Sequence, residues 1–169
     1  VQKKQKKKID FIQNKSLELS LFLSLPASVA LLIGSEEIIS ALFGYGQFDQ
    51  SSVYNSARAL FFFSFGLPAF AMIKVFSNFF FANHNTKTPF YISLASVLLN
   101  IIISLYFFKS IGFIIIPIAT TISSWFNLII LFLILKRRNL FSFSKIFINR
   151  FFKIIFSSVL MGLFFHYLM

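Results

Sequence analysis

The chain has 169 residues, is 57% hydrophobic, contains 27 Phe and no Cys, and carries a formal charge of +11, with a mean hydropathy of +0.82. A soluble domain of this size leaves much of its surface wet and cannot hide so much apolar area, so the composition excludes a water-soluble fold and predicts an all-α integral membrane protein. Without Cys there is no disulfide framework, thiol nucleophile or Cys-based metal site, and the redox compartment cannot be read.

A crossing needs about 20 apolar residues at ~1.5 Å rise each, and five stretches qualify. Residues 1–16 form a basic lead-in, with Lys3, Lys4, Lys6, Lys7 and Lys8 ahead of an amphipathic piece from Ile9 to Leu17 expected at the inner surface. The first span starts at Leu17 and, with a wetter extension from Glu36, covers 17–43. The second, 53–81, is the longest and carries Arg58, Pro68 and Lys74 inside apolar sequence. A polar hinge from Phe80 to Pro89 overlaps the end of that span and is read as a tight cytoplasmic turn between two membrane helices. The third span, 89–108, opens on Pro89, which suits a first helical turn because the missing N–H has no partner to lose. The fourth, 112–135, has Pro117 near its start and Trp125 and Asn127 in its second half; the fifth, 151–169, is just long enough to cross. Pro68 and Pro117 are expected either to kink their helices, as transporter helices do, or simply to pack.

Cation placement predicts orientation. With the N-terminus in the cytoplasm, the lead-in lysines, Lys15, Lys87, Lys136, Arg137, Arg138, Lys145, Arg150 and Lys153 all fall inside. Lys109 alone lies in an outer loop, and Glu36, Glu37 and Asp49 lie outside. This is the positive-inside pattern of an odd number of helices. It also accounts for the net charge without nucleic acid, whose binders gather cations on one face of a folded domain. The basic start followed by Pro26-Ala27-Ser28-Val29-Ala30 mimics a signal peptide, but the apolar sequence runs on, as in a retained span. A start at Val1 is expected of a piece of a longer polypeptide.

Four motifs then stand in register. They are Leu42-Phe43-Gly44-Tyr45-Gly46-Gln47-Phe48; Arg58-Ala59-Leu60 with Gly66-Leu67 and Lys74-Val75; Phe80-Phe81-Ala82 with Thr86-Lys87-Thr88-Pro89; and Ala119-Thr120-Thr121 running to Trp125-Phe126-Asn127. Over residues 17–135 their order and spacing resemble the C-terminal half of the MurJ (MviN) family of lipid II flippases. That family writes them roughly as LF-x-x-G-x-F, AL with GL and KV, FYA-x-x-D-T-R-T-P, and A-T-S with W-x-N. Asn85 and Lys87 stand where the family has Asp and Arg, which removes a local carboxylate–guanidinium pair. Ile115 stands where its helix usually begins with Gly, which opposes close backbone approach.

The resemblance implies a transporter, not an enzyme, of about fourteen helices in two lobes, within the multidrug/oligosaccharidyl-lipid/polysaccharide exporter superfamily. This chain would hold roughly the ninth to thirteenth. The implied activity is flipping lipid II, the lipid-linked peptidoglycan precursor, across the bacterial inner membrane by alternating access. The implied partners are lipid II, membrane lipids and the remainder of the chain's own polypeptide. The family's pyrophosphate-binding arginines are placed on helices preceding this stretch, so the chain alone is not expected to flip its cargo.

Within the chain, Lys74 lies about seven residues, ~10 Å of rise, from the inner end of its span. A cation that deep is costly unless it meets water, an anion or a partner, so it is read as a substrate-binding cavity residue or as a snorkelling lysine. Arg58, near the outer end, is read as meeting outer headgroups, Asp49 or the cavity. Asn100 and Ser104 share one helical face at i, i+4, with Thr120 on the next helix. Some family members bind a sodium ion between the equivalent helices through an Asn, a carboxylate one turn on, a Thr and a backbone carbonyl. Asn100 and Thr120 match, Ser104 replaces the carboxylate, and interhelical hydrogen bonding is the alternative reading. Beyond that ion no cofactor is expected. His84 and His166 are single and lack a second ligand at metal spacing. The rival readings are another polysaccharide or drug exporter of the same superfamily, and a membrane-embedded lipid-processing enzyme.

Overall fold

The computed structural model describes residues 2–168, with side chains from Lys7 onward; the side chains of Lys3, Lys4 and Lys6, and the chain ends Val1 and Met169, lie outside the described set. Six α-helices make up the fold: α1 (Gln2–Ile33), α2 (Ser35–Phe43), α3 (Gln50–Ala82), α4 (Lys87–Ile111), α5 (Ile115–Arg137) and α6 (Lys145–Leu168). The basic lead-in forms the first half of α1 and is continuous with the first span. The wetter extension of that span is its own short helix, α2, which starts beyond Gly34 and lies against α3.

Among the described residues four uninterrupted runs are long and apolar enough to cross a membrane: Lys7–Ile33, Gln50–Ala82, Lys87–Arg137 and Lys145–Leu168. Extended, the third run would be about 77 Å long, more than twice a bilayer core. It instead doubles back through a 3-10 turn at Gly112–Ile114. Gly112 sits at φ 72°, a conformation only glycine adopts freely. The four runs therefore make five crossings.

Packing does not follow chain order. α6 packs on α1, α1 on α3, α3 on α5 and α5 on α4, so the crossings form a single row with α6 and α4 at its ends. α3 and α4, though joined by a four-residue turn, scarcely touch because α5 lies between them. The main apolar core gathers toward the basic end of the row. There Leu17 and Leu21 of α1, Phe76, Phe79 and Phe80 of α3, Leu128, Leu131 and Leu135 of α5, and Phe141 and Phe147 pack together. Phe79 and Phe141 stack at 5.7 Å, as do Phe143 and Phe147 at 5.3 Å.

The turns at that end are built by local chemistry. α3 ends in a Schellman motif: His84, at φ 54°, donates its N–H to Phe81 O and Asn85 N–H reaches Phe80 O. Asn85 then caps α4, its Oδ1 accepting from Thr88 N at 3.1 Å while its Nδ2 donates to Thr88 Oγ1 at 2.9 Å. The neutral Asn thus performs the capping that an Asp would, so its departure from the motif leaves the turn intact. Asn139, at φ 53°, closes α5 in the same way, with Leu140 N–H on Leu135 O. The α5–α6 loop is clamped by α1: Gln13 donates to Leu140 O, Asn14 donates to Ser142 O, and Asn14 Oδ1 accepts from Ser144 N.

Pro68 explains much of the seam chemistry around α3. Lacking an N–H, it strands the carbonyl of Ser64 one turn back, and the Ser28 hydroxyl of α1 donates to that oxygen at 2.7 Å. On the other side Thr121 donates to Phe62 O at 2.8 Å and the Trp125 indole to Phe65 O at 3.0 Å. Carbonyls around the proline thereby tie α3 to both neighbours.

Candidate functional site

Because α5 separates α3 from α4, these two helices are the walls of a cleft whose floor is α5. Two hollows that share Ser93 make it up. One, of about 400 Å³, is lined by Phe70 and Ile73 of α3, by Ser93, Ser96, Val97, Asn100 and Ile101 of α4, and by Thr120, Ser123, Ser124 and Asn127 of α5. The other, of about 560 Å³, runs toward the basic end past Ser77, Phe81, Thr86, Lys87, Pro89, Phe90 and Tyr91. The first holds seven hydroxyl or amide side chains within helices otherwise long and apolar enough for hydrocarbon. Polar groups at such depth are costly unless they are paired or wetted.

The pairing is partial. Ser96, Thr120 and Ser124 bond back to the carbonyls of Ile92, Ile116 and Thr120, as helical hydroxyls do. Asn100 Nδ2 donates across the α4–α5 seam to Thr120 Oγ1 at 2.9 Å and to Ser123 Oγ at 3.4 Å. Ser104 Oγ donates to Asn100 Oδ1 at 3.4 Å. Deeper in the cleft, Asn127 Nδ2 meets Ser93 Oγ at 3.4 Å, and Asn127 Oδ1 is buried without a partner among the described residues. The structure thus brings Asn100, Ser104 and Thr120 into one network. Their oxygens are neutral, and among the described residues no group of three His, Cys, Asp or Glu side chains could hold a metal ion. Oxygen ligands suit a hard cation, and without a carboxylate they hold it weakly.

Lys74 and Arg58 are not brought together. They lie on one helix, about 24 Å apart along its axis. Lys74 is exposed and falls at i, i+4 from Phe70 and i, i+3 from Ser77, both cleft-lining residues, but it is not itself among the residues lining either hollow and sits at the cleft's edge. Arg58 lies toward the other end, with its guanidinium 5.5 Å over the Tyr54 ring. Asp49, expected as one of its partners, instead caps α3: hydrogen bonds from Ser52 and Ser51 hold its carboxyl below the usual carboxylate range. His84 serves as the left-handed residue of a helix cap. The sequence reading missed the Gln13 and Asn14 clamp; two adjacent amides on an apolar helix face were the available signal.

A row of five helices long and apolar enough to cross a membrane, with a hydroxyl- and amide-lined cleft among three of them, defines a polytopic membrane protein. Comparison with known proteins makes the assignment specific. The profile described as Lipid II flippase MurJ matches residues 1–169. The chain belongs to that family. A probable lipid II flippase MurJ of Rhizobium meliloti is 40% identical over 121 residues, covering 72% of this chain and 23% of the relative. Those of Rickettsia prowazekii and Thermotoga maritima are 37% identical over 121 residues and 36% over 143, covering 72% and 85% of this chain and 24% and 28% of theirs. A solved structure described as lipid II flippase MurJ in an inward closed conformation superposes with a TM-score of 0.81 at 28% identity, covering 93% of this chain and 32% of that one. The chain spans about a quarter of the length of these curated relatives.

Proposed function

We propose that this chain is part of a machine that moves lipid II from the inner to the outer leaflet of the bacterial inner membrane by alternating access, serving peptidoglycan synthesis. The observation that carries the reading is the family match over residues 1–169. The cleft supplies a physical reason. A sugar-peptide-pyrophosphate headgroup crosses hydrocarbon only if something replaces its hydration, and hydroxyls, amides and a nearby cation provide donors where lipid has none. Lys74 is the residue here assigned to the anionic headgroup, at the cleft edge; Arg58 stands apart from it. The basic end, with Lys15, Lys87, Arg137 and Arg150, faces the cytoplasm in this reading. Sodium is assigned to Asn100, Ser104 and Thr120 as a weak coupling site. It predicts a shallow Na⁺ dependence of transport that Ser104→Asp steepens; transport indifferent to Na⁺ in both forms removes it. Depleting the full-length protein should stop newly made precursor from appearing in the outer leaflet of labelled cells. Normal labelling after depletion rejects the assignment.

A further inference from the structure

At the opposite end of the row from the cleft, a groove of about 380 Å³ runs between α1 and α6. Its basic-end rim carries Lys15 of α1 with Arg150 and Lys153 of α6, and its walls continue into the bilayer as Leu19, Phe22 and Ile154. Helical spacing puts each set on one stripe: Lys15, Leu19 and Phe22 on α1, and Arg150, Lys153 and Ile154 on α6. Among the described residues lining the groove, Glu18 is the one carboxylate. Arg150 Nη1 binds both of its oxygens, at 3.0 and 2.9 Å, and Lys15 Nζ binds one at 3.0 Å. Three cations against one carboxylate leave the rim positive. Among the described residues Lys153 makes no ion pair, and the Arg150 and Lys15 side chains are half exposed, at 50% and 55%. Leu19 and Phe22 are 58% and 59% exposed on the stripe below.

We infer that this groove binds one anionic phospholipid from the surrounding leaflet, its phosphate on Lys15, Arg150 and Lys153 and an acyl chain along Leu19, Phe22 and Ile154. Charge complementarity and depth both fit such a lipid. Cations at the start of both apolar runs lie at headgroup level, and apolar side chains directly below match the lipid's own division into head and tail. Glu18 does not oppose this: held by Arg150 and Lys15, it fixes the two cations side by side across the helix seam. A zwitterionic lipid would gain less, since its ammonium would meet the same positive rim. The site is separate from the cleft and does not depend on the proposed transport activity.

The test uses the full-length protein, purified in mild detergent with phosphatidylglycerol or phosphatidylcholine added, and counts retained lipid by native mass spectrometry. Wild type should keep one phosphatidylglycerol in preference to phosphatidylcholine. The double variant Lys15→Gln/Lys153→Gln leaves the Arg150 and Glu18 pair in place and should weaken that retention about thirtyfold. Arg137→Gln/Lys145→Gln removes the same charge at the same end but outside the groove, and should keep it. Circular dichroism should show equal helix content in all three. The inference is overturned if both double variants lose the lipid equally, if the groove variant keeps it, or if wild type retains none because another part of the polypeptide covers the groove.

Discussion

At one end of the helix row α4 meets α5 through Asn100, Thr120 and Ser123, side chains that bond across the seam at membrane depth. At the other end α6 meets α1 through Ser158 and Gly162, spaced i, i+4 and buried, and through the pair of Arg150 with Glu18 at headgroup level. Gly162 lets the helices close: a Cβ there would fall 2.5 Å from Val29 Cγ1 and 2.8 Å from Ile33 Cδ1. Two helices of similar length and hydropathy are thus docked by different means. Small residues suffice for association in lipid, where close van der Waals contact is the main attraction. Polar side chains at depth are not needed for that purpose, and their concentration at the α4 end points to a surface that serves something polar.

The sharpest break of this comparison is at the α6 end. Gly162→Leu should force α6 off α1, costing about 1–3 kcal/mol as overpacking does, seen as a lowered unfolding temperature in detergent and loss of a disulfide engineered across that seam. Asn100→Leu should cost less stability, about 0.6–1.7 kcal/mol for the lost interhelical bonds, yet it should reduce transport by the full-length protein more than Gly162→Ala does. Equal losses of stability and transport in the two variants would make the α4 seam merely structural. Lys74→Gln should lower transport while Lys74→Arg retains it, with unfolding temperatures unchanged, because the side chain is exposed. Glu18→Gln should cost about 0.2–1 kcal/mol, the scale of an exposed ion pair, and added salt should shrink the difference from wild type.

The smallest expected effect concerns Asp49. Its carboxyl is held below the usual range in the fold, so its contribution is present above the unfolded value and is lost as pH falls through the folded one. Acid should therefore fray the start of α3 first, and Asp49→Asn should remove that dependence while leaving both ends of the row untouched. Amide exchange at Ser52 and Val53 reads it directly.

The crossings were legible in the sequence because hydrocarbon demands long apolar runs, and the motifs around Leu42, Arg58, Phe80 and Ala119 carried the family. The order of the row was not legible. Nothing in the hinge from Phe80 to Pro89 says that α5 slides between the helices it joins, since that depends on Gly112 reversing the chain and on Thr121 and Trp125 finding the carbonyls around Pro68. Asn100, Ser104 and Thr120 were picked out as a group by spacing and resemblance, whereas Ser93, Ser96, Ser123, Ser124 and Asn127 looked like scattered polar residues until packing gave them one wall. Lys74 was conspicuous by depth, but whether it bordered a polar surface depended on a neighbour far along the chain.

The account stands on the cleft between α3, α4 and α5 being open to water at membrane depth. Single cysteines at Ser93 and Val97 of the full-length protein, in an otherwise Cys-free background, can be tested in native membranes with a membrane-impermeant thiol reagent, alongside Leu98 and Leu105 on the apolar face of α4. The account predicts rapid labelling at Ser93 and Val97 and none at Leu98 and Leu105. Four equally inert positions, or labelling that follows depth instead of helix face, would contradict it.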